Sequence, residues 1–139
     1  MVFDPLAPPF DREGFIDWYR KQTEWTAGHS YDDAAITTPA LRAWFMEMIS
    51  QYPPMNGPYA PDDTDNLRLT DYSIGKSIIY AAFAWSEADS AFRTMFNLAQ
   101  KHRVGFFDVS SDEGGVWLPD AAAGLSLVHG GGMKPGSLQ

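Results

Sequence analysis

A nine-residue run without a polar face, residues 77–85, constrains the fold more than any other part of the sequence. Read at a period of two, both of its sides are apolar or aromatic: Ile79, Ala81, Phe83 and Trp85 on one, and Ile78, Tyr80, Ala82 and Ala84 on the other. A strand with two apolar sides must be covered on both faces. The run is short, lies between Gly75 and Ser86, and begins with β-branched and aromatic residues, which favours a central strand over the alternative, a buried helix.

Length, composition and charge exclude several classes of protein and of partner. A chain of 139 residues fits one domain, and the absence of cysteine excludes a disulfide framework and thiolate chemistry. Neither a signal peptide nor an apolar run of roughly 18 residues occurs, so we expect a cytoplasmic protein without a membrane span. The net charge of −8 argues against nucleic acid or an anionic membrane as partner. It favours a cationic partner, or it serves solubility alone.

Three helices are predicted from apolar spacing and capping residues. Asp11 is placed to cap the first helix, which should end near Trp25. Thr38 and Pro39 start a second helix, which the prolines at 53 and 54 should end. Ser86 is placed to cap a third, with Asp89 three residues later as in a capping box.

The strands give the fold class. Short strands are expected at residues 2–4, 71–74 and 104–109, and at 116–118, which pairs back as a hairpin. We predict an α+β fold: a small, mainly antiparallel sheet with about three helices packed largely on one face. Residues 1–119 form the domain, and residues 120–139 form a Gly/Ala-rich tail, with a brief strand allowed at 125–128. The second face of the central strand would then be covered by residues 53–72 or by another molecule.

No arrangement of residues indicates catalysis or a cofactor. His29, His102 and His129 are far apart in sequence and lack the spacing of a zinc site. Asp62, Asp63, Asp65 and Asn66 resemble half a calcium loop, but the glycine and the glutamate that complete such a loop are missing. Ser30 has His29 and Asp32 nearby but no nucleophile-elbow motif. We therefore predict a protein without cofactor or metal that is not an enzyme.

Two acidic segments that contain aromatic or apolar side chains are the candidate binding residues. The loop cluster comprises Met55, Tyr59, Asp62, Asp63 and Asp65. The hairpin cluster comprises Asp108, Asp112, Glu113 and Trp117. Aromatic anchors ringed by carboxylates suit an interface with a basic protein. A core contact is the alternative for Tyr59 and the favoured one for Trp117.

Two other hypotheses for the function remain. A cleft between residues 53–72 and the sheet could hold a small molecule or act as an active site, with lining residues Tyr31, Asp32, Asn56, Tyr59 and Tyr72. A homodimer with a scaffold role is the other.

Five segments carry a resemblance to a known family. They are residues 30–33 (SYDD), 37–45 (TTPALRAWF), 53–58 (PPMNGP), 70–75 (TDYSIG) and 105–110 (GFFDVS). Across residues 2–119 the chain resembles a family of small uncharacterised bacterial proteins associated with immunity proteins of type VI secretion and related polymorphic toxins. The resemblance implies binding and neutralisation of a cognate toxin, and it supplies no catalytic residues. The chain departs from the family in a first strand that begins later than the resemblance implies, and in the tail after Pro119.

Overall fold

Six strands form one sheet in the order β2–β3–β1–β4–β5–β6, with every pair of neighbours antiparallel. In this computed structural model, residues 1–24, 31–62, 65–110 and 114–129 are described. The strands are β1 (Val2–Phe3), β2 (Asp71–Ile74), β3 (Ile78–Ala82), β4 (Gly105–Phe107), β5 (Val116–Pro119) and β6 (Leu125–His129).

The predicted strand at residues 77–85 is confirmed as β3 over its first part. Ile78 and Ile79 are fully buried, and β3 lies between β2 and β1. The chain then leaves the sheet, and Trp85–Glu87 forms a short 3-10 turn. Ser77 at the start of the predicted strand and the last three residues, 83–85, therefore do not belong to it.

The helices are α1 (Arg12–Gln22), α2 (Pro39–Met48) and α3 (Ala88–His102). Two predicted caps are confirmed, because Asp11 accepts a bond of 2.8 Å from Gly14 N and Thr38 accepts one of 3.3 Å from Leu41 N. The capping box at Ser86 was wrong: α3 begins after Glu87, which makes no side-chain cap bond, because the 3-10 turn precedes the helix. Helix α1 ends at Gln22, and Trp25 lies outside the described residues.

Helices cover both faces of the sheet. Helices α2 and α3 pack on the face that presents Val2, Ile79 and Phe106, where the indole of Trp44 donates a 3.2 Å bond to Met95 O. Helix α1 packs on the other face, where Phe15 stacks edge-on against Phe3 and Phe107 with ring centroids 5.3 and 5.1 Å apart. The predicted α+β class is confirmed, and two of the three helices share a face. The second face is covered by α1, which neither alternative drawn from the sequence included.

Asp120 organises the turn between β5 and β6. Its carboxylate accepts bonds from Ala122 N (2.9 Å), Gly124 N (3.1 Å) and the Ser126 hydroxyl (2.5 Å), which lower its pKa below the usual value, the Ser126 bond most strongly. Arg103, the left-handed residue that ends α3, donates to Gly124 O at 3.0 Å and to Asp120 O. The brief strand predicted at residues 125–128 is therefore present as β6, at the edge of the sheet. Residues 130–139 lie outside the described part of the chain.

Phe3 on β1 and Gly105 on β4 are paired residues that approach each other closely. A Cβ atom on Gly105 would lie 2.4 Å from the Phe3 ring, closer than real Cβ atoms approach other atoms. Gly105 therefore lets the Phe3 ring lie directly over β4 and reach the aromatic core under α1. None of the helices in the described part of the chain has the length and apolarity needed to cross a membrane.

Candidate functional site

A cleft of about 440 Å³ opens beside Met1, between β3 and the residues that follow β4. Met1 forms one end of the cleft, residues 80–83 form one wall and residues 106–110 form the other. The first half of α3 lies across it, contributing Phe92 and Met95. The cleft thus lies beside the two-residue strand β1, between the end of β3 and the residues that follow β4.

Exposed aromatic side chains mark the rim of this cleft. Trp85 is 94% exposed and Phe92 is 39% exposed, while Met95 and Phe106 in the interior are buried. Trp85 owes its exposure to the 3-10 turn, which carries the chain off the sheet immediately after β3. Exposed aromatic groups beside an apolar recess are typical of a site that binds another molecule.

The charge of the cleft is negative. Asp89 on α3 and Asp108 after β4 line it, and none of its described lining residues is Lys, Arg or His. The only basic group there is the amine of Met1, which donates a 3.1 Å bond to Phe107 O. Burial lowers the pKa of this amine to about 5, against a smaller opposing effect of Asp108. The amine is therefore uncharged at neutral pH, and the two carboxylates have no cation beside them within the described lining.

The loop cluster lies along the outer side of β2. Met55 N donates to Thr70 O at 2.9 Å, and Thr70 N donates to Pro53 O at 2.8 Å, so the loop is tied to the start of that strand. Met55 is 51% exposed, and Tyr59 is 47% exposed with its ring 6.2 Å from that of Phe45. Asp62 and Asp65 are exposed, and Asp63 lies outside the described residues.

The hairpin cluster is divided between the cleft and the core. Asp108 lines the cleft, whereas Trp117 is half-buried, with ring centroids 5.6 Å from Phe96 and 5.7 Å from Phe106. The core contact favoured for Trp117 is therefore the one observed. Asp112 and Glu113 lie outside the described residues. Because β2 and β5 are four strand spacings apart, roughly 19 Å, the fold does not bring the two clusters together.

The structure places two of the residues predicted to line the alternative cleft between residues 53–72 and the sheet. Tyr72 is buried, and its hydroxyl donates a 2.7 Å bond to Tyr52 O, with burial raising its pKa above the usual range. The backbone of Gly57 lies close to Asp32, since a Cβ atom on Gly57 would lie 3.0 Å from it. Tyr72 is thus a core residue, and the recess found in the structure lies on the opposite side of β3.

Sequence reasoning missed most of the cleft because its walls come from segments distant in the chain. Trp85 was assigned to a strand face, and Phe92 falls within the predicted third helix, but both side chains lie at the rim. The available signal was the run Trp85, Ser86, Glu87 after an apolar strand, where a large aromatic side chain precedes polar residues. Within the described residues, no group of three or more His, Cys, Asp or Glu side chains is arranged to hold a metal ion.

In comparisons with known proteins, no family model, no curated protein and no solved structure matches this chain. The resemblance to immunity proteins stays a prediction, carried by the five sequence segments alone.

Proposed function

We propose that this chain is a non-catalytic binding protein that takes a basic part of a partner protein into the cleft between β3 and β4. In line with the sequence resemblance, the partner is a secreted bacterial toxin that the chain neutralises by covering it. One observation carries the proposal: Trp85, 94% exposed, lies at the rim of a recess whose carboxylates, Asp89 and Asp108, have no cation among the described lining residues.

The chemistry of the cleft suits a Lys or Arg side chain in an apolar surrounding. A large aromatic group that loses its contact with water on binding contributes strongly to affinity, and a neighbouring charge pair fixes the partner's identity. The net charge of −8 adds long-range attraction for a basic partner and speeds the encounter at low salt. Asp62 and Asp65 of the loop cluster, which are exposed, would contribute to this attraction without direct contact.

Charge reversal at two matched positions tests where the partner binds. Asp89→Lys and Asp62→Lys each replace one negative charge by one positive charge, so both proteins carry −6 instead of −8. Asp89→Lys should weaken binding of the toxin encoded next to this gene by about 30-fold or more, since it places like charges at the contact. Asp62→Lys should change affinity less than about threefold and act mainly on the association rate.

The measurement is stopped-flow association at several salt concentrations, with protection of toxin-expressing cells as the biological readout. Trp85→Ala should also weaken binding, by about 30-fold, in the range of an aromatic hot spot. Equal losses in both charge variants would place the contact outside the cleft. Failure of the wild-type chain to protect cells from any neighbouring toxin would contradict the proposed function.

A small molecule is the second candidate for the cleft, because a volume of about 440 Å³ lies within the range of ligand pockets. The two hypotheses predict different results for the exposure of the Trp85 indole to fluorescence quenchers. A metabolite that enters the interior should shift the NMR signals of Met95 and Phe106 and leave the Trp85 indole exposed to fluorescence quenchers. A protein partner should shield that indole.

A further inference from the structure

One arginine joins the loop that precedes β2 to the 3-10 turn that carries Trp85. The Nε atom of Arg68 donates a 2.8 Å hydrogen bond to a carboxylate oxygen of Glu87. The guanidinium group also lies over the Tyr52 ring, 4.8 Å from its centroid, in a cation–π contact. Tyr52 is fully buried, and its hydroxyl donates a 2.8 Å bond to the Ser90 hydroxyl on α3. Arg68 therefore contacts both a buried ring and a carboxylate of the turn.

The backbone of Arg68 is held as well. Arg68 N donates to the side-chain oxygen of Asn66 at 2.9 Å, and Arg68 O accepts a 3.0 Å bond from the Thr70 hydroxyl. Thr70 is fully buried, and its N–H donates to Pro53 O at 2.8 Å. The side chains of Arg68 and Glu87 are 43% and 20% exposed, so water screens their contact less than that of a fully exposed ion pair. The contact therefore connects the turn to a segment that is itself bonded to its surroundings.

Glu87 lies between the two residues that the proposed function places against the partner, Trp85 and Asp89. The 3-10 turn is closed by a bond from Ala88 N to Trp85 O, and α3 follows without a side-chain cap. In the part of the chain that the structure describes, the side chains of the turn make one polar contact, the bond between Glu87 and Arg68. The orientation of the turn therefore depends on this contact.

The same contact determines which carboxylates are left for a partner. Glu87 is paired with Arg68, whereas Asp89 and Asp108 take part in no salt bridge within the described residues. An aromatic group and a charge bind more tightly when they are already held in the bound orientation, because the cost of ordering them does not arise on binding.

We propose that Arg68 is a positioning residue for the partner site: through Glu87 it holds the 3-10 turn in the orientation that presents Trp85 and Asp89 to the partner. The inference rests on the proposed function and adds to it a residue outside the cleft. Charge alone predicts the opposite effect of removing Arg68. Arg68→Met changes the net charge from −8 to −9, and long-range attraction of a basic partner would then increase. A positioning role predicts weaker binding.

Amide hydrogen exchange at Ala88 tests the positioning role in the absence of a partner. Arg68→Met should speed exchange of this amide by about tenfold or more, because its bond to Trp85 O opens more often once the turn has lost its outside contact. Arg20→Met is the matched control, since it changes the net charge equally and removes an exposed 3.9 Å pair with Asp17 on α1. It should leave exchange at Ala88 within about twofold of the wild-type rate.

Affinity for the toxin encoded next to this gene is the second readout. Arg68→Met should weaken binding by about tenfold, mainly through faster dissociation, whereas Arg20→Met should leave binding unchanged or slightly tighter. Arg68→Lys can keep an ion pair with Glu87, so both exchange and affinity should stay within about threefold of the wild type. In a Trp85→Ala background the loss caused by Arg68→Met should shrink, because the two residues act on the same contact.

The outcomes separate this inference from the proposed function. Unchanged exchange at Ala88 in a folded Arg68→Met protein would overturn the inference and leave the proposed function intact, and so would tighter toxin binding by that variant. If the wild-type chain binds no neighbouring toxin, the proposed function fails and the role of Arg68 toward a partner fails with it. Should Arg68→Met not fold, Glu87→Ala removes the same contact from the other side, and the same changes in exchange and affinity are expected.

Discussion

At the scale of single residues, the close contact between Gly105 and the Phe3 ring predicts the effect of a substitution on stability. Gly105→Ala would place a methyl group 2.4 Å from the Phe3 ring, which is fully buried and cannot move aside freely. We expect the free energy of unfolding to fall by about 2 kcal/mol, in the range of overpacked cores. Gly124→Ala is the control, because its Cβ atom would meet nothing nearer than 3.4 Å. Urea unfolding measures both, and equal losses would contradict the packing argument.

The buried amine of Met1 predicts a pH dependence. Its pKa is about 5 in the folded protein, against an ordinary value of 8.0, because burial disfavours the charged form. Between pH 5 and 8 the unfolded chain therefore binds a proton that the folded protein does not. The free energy of unfolding should fall as the pH is lowered from 8 to 5, by up to about 1.4 kcal/mol per pH unit, and this contribution should level off outside that window.

Acetylation of the Met1 nitrogen is the matching control, since the acetylated amine cannot take up a proton. Urea unfolding at several pH values should give a shallower pH dependence for the acetylated protein than for the free one. Identical slopes for the two proteins would show that other groups cause the dependence.

Aromatic residues show what single positions reveal in a sequence. Trp85 and Trp117 both follow β-branched or apolar neighbours, yet Trp117 packs against Phe96 and Phe106 while Trp85 is exposed. The difference coincides with the 3-10 turn after β3, which begins at Trp85. The local sequence pattern places both tryptophans in apolar segments. It does not predict which of the two side chains is left exposed.

At the scale of helices and strands, capping separates two positions that look equivalent in the sequence. Thr38→Ala should lower the free energy of unfolding by about 1 kcal/mol, because the Thr38 hydroxyl accepts the bond from Leu41 N. Ser86→Ala should change it by less than about 0.5 kcal/mol, since α3 starts without a side-chain cap. Thermal unfolding checks both variants. A larger loss in Ser86→Ala would mean that the start of α3 differs from the one described.

Local signals predicted several elements. The caps at Asp11 and Thr38 and the presence of strand β3 follow from neighbouring residues, and each is confirmed, whereas the equally local capping box at Ser86 is wrong. The position of β1 does not follow from them, because a two-residue strand has no pattern of its own. It becomes the centre of the sheet only through pairing with residues more than 70 positions later in the chain. The candidate cleft depends on this long-range pairing, so local patterns in the sequence could not predict it.

At the scale of the whole molecule, net charge and fold would contribute to the proposed binding in two different ways. The net charge of −8 follows from composition, and it would attract the proposed basic partner from any direction. The fold determines which carboxylates could touch that proposed partner. It places Asp62 and Asp65 on the exposed loop beyond β2, and Asp89 and Asp108 in the recess between β3 and β4.

The burial of the Met1 nitrogen has a practical consequence for anyone who handles this protein. A purification tag or an immobilising linker joined to that nitrogen has to leave the sheet through the space between β3 and β4. Such an attachment would compete with the proposed partner, and in a pull-down the fusion would then resemble an inactive protein. Tags therefore belong at the carboxyl end of the polypeptide, and results obtained with amino-terminal fusions should be repeated after the fusion has been cleaved.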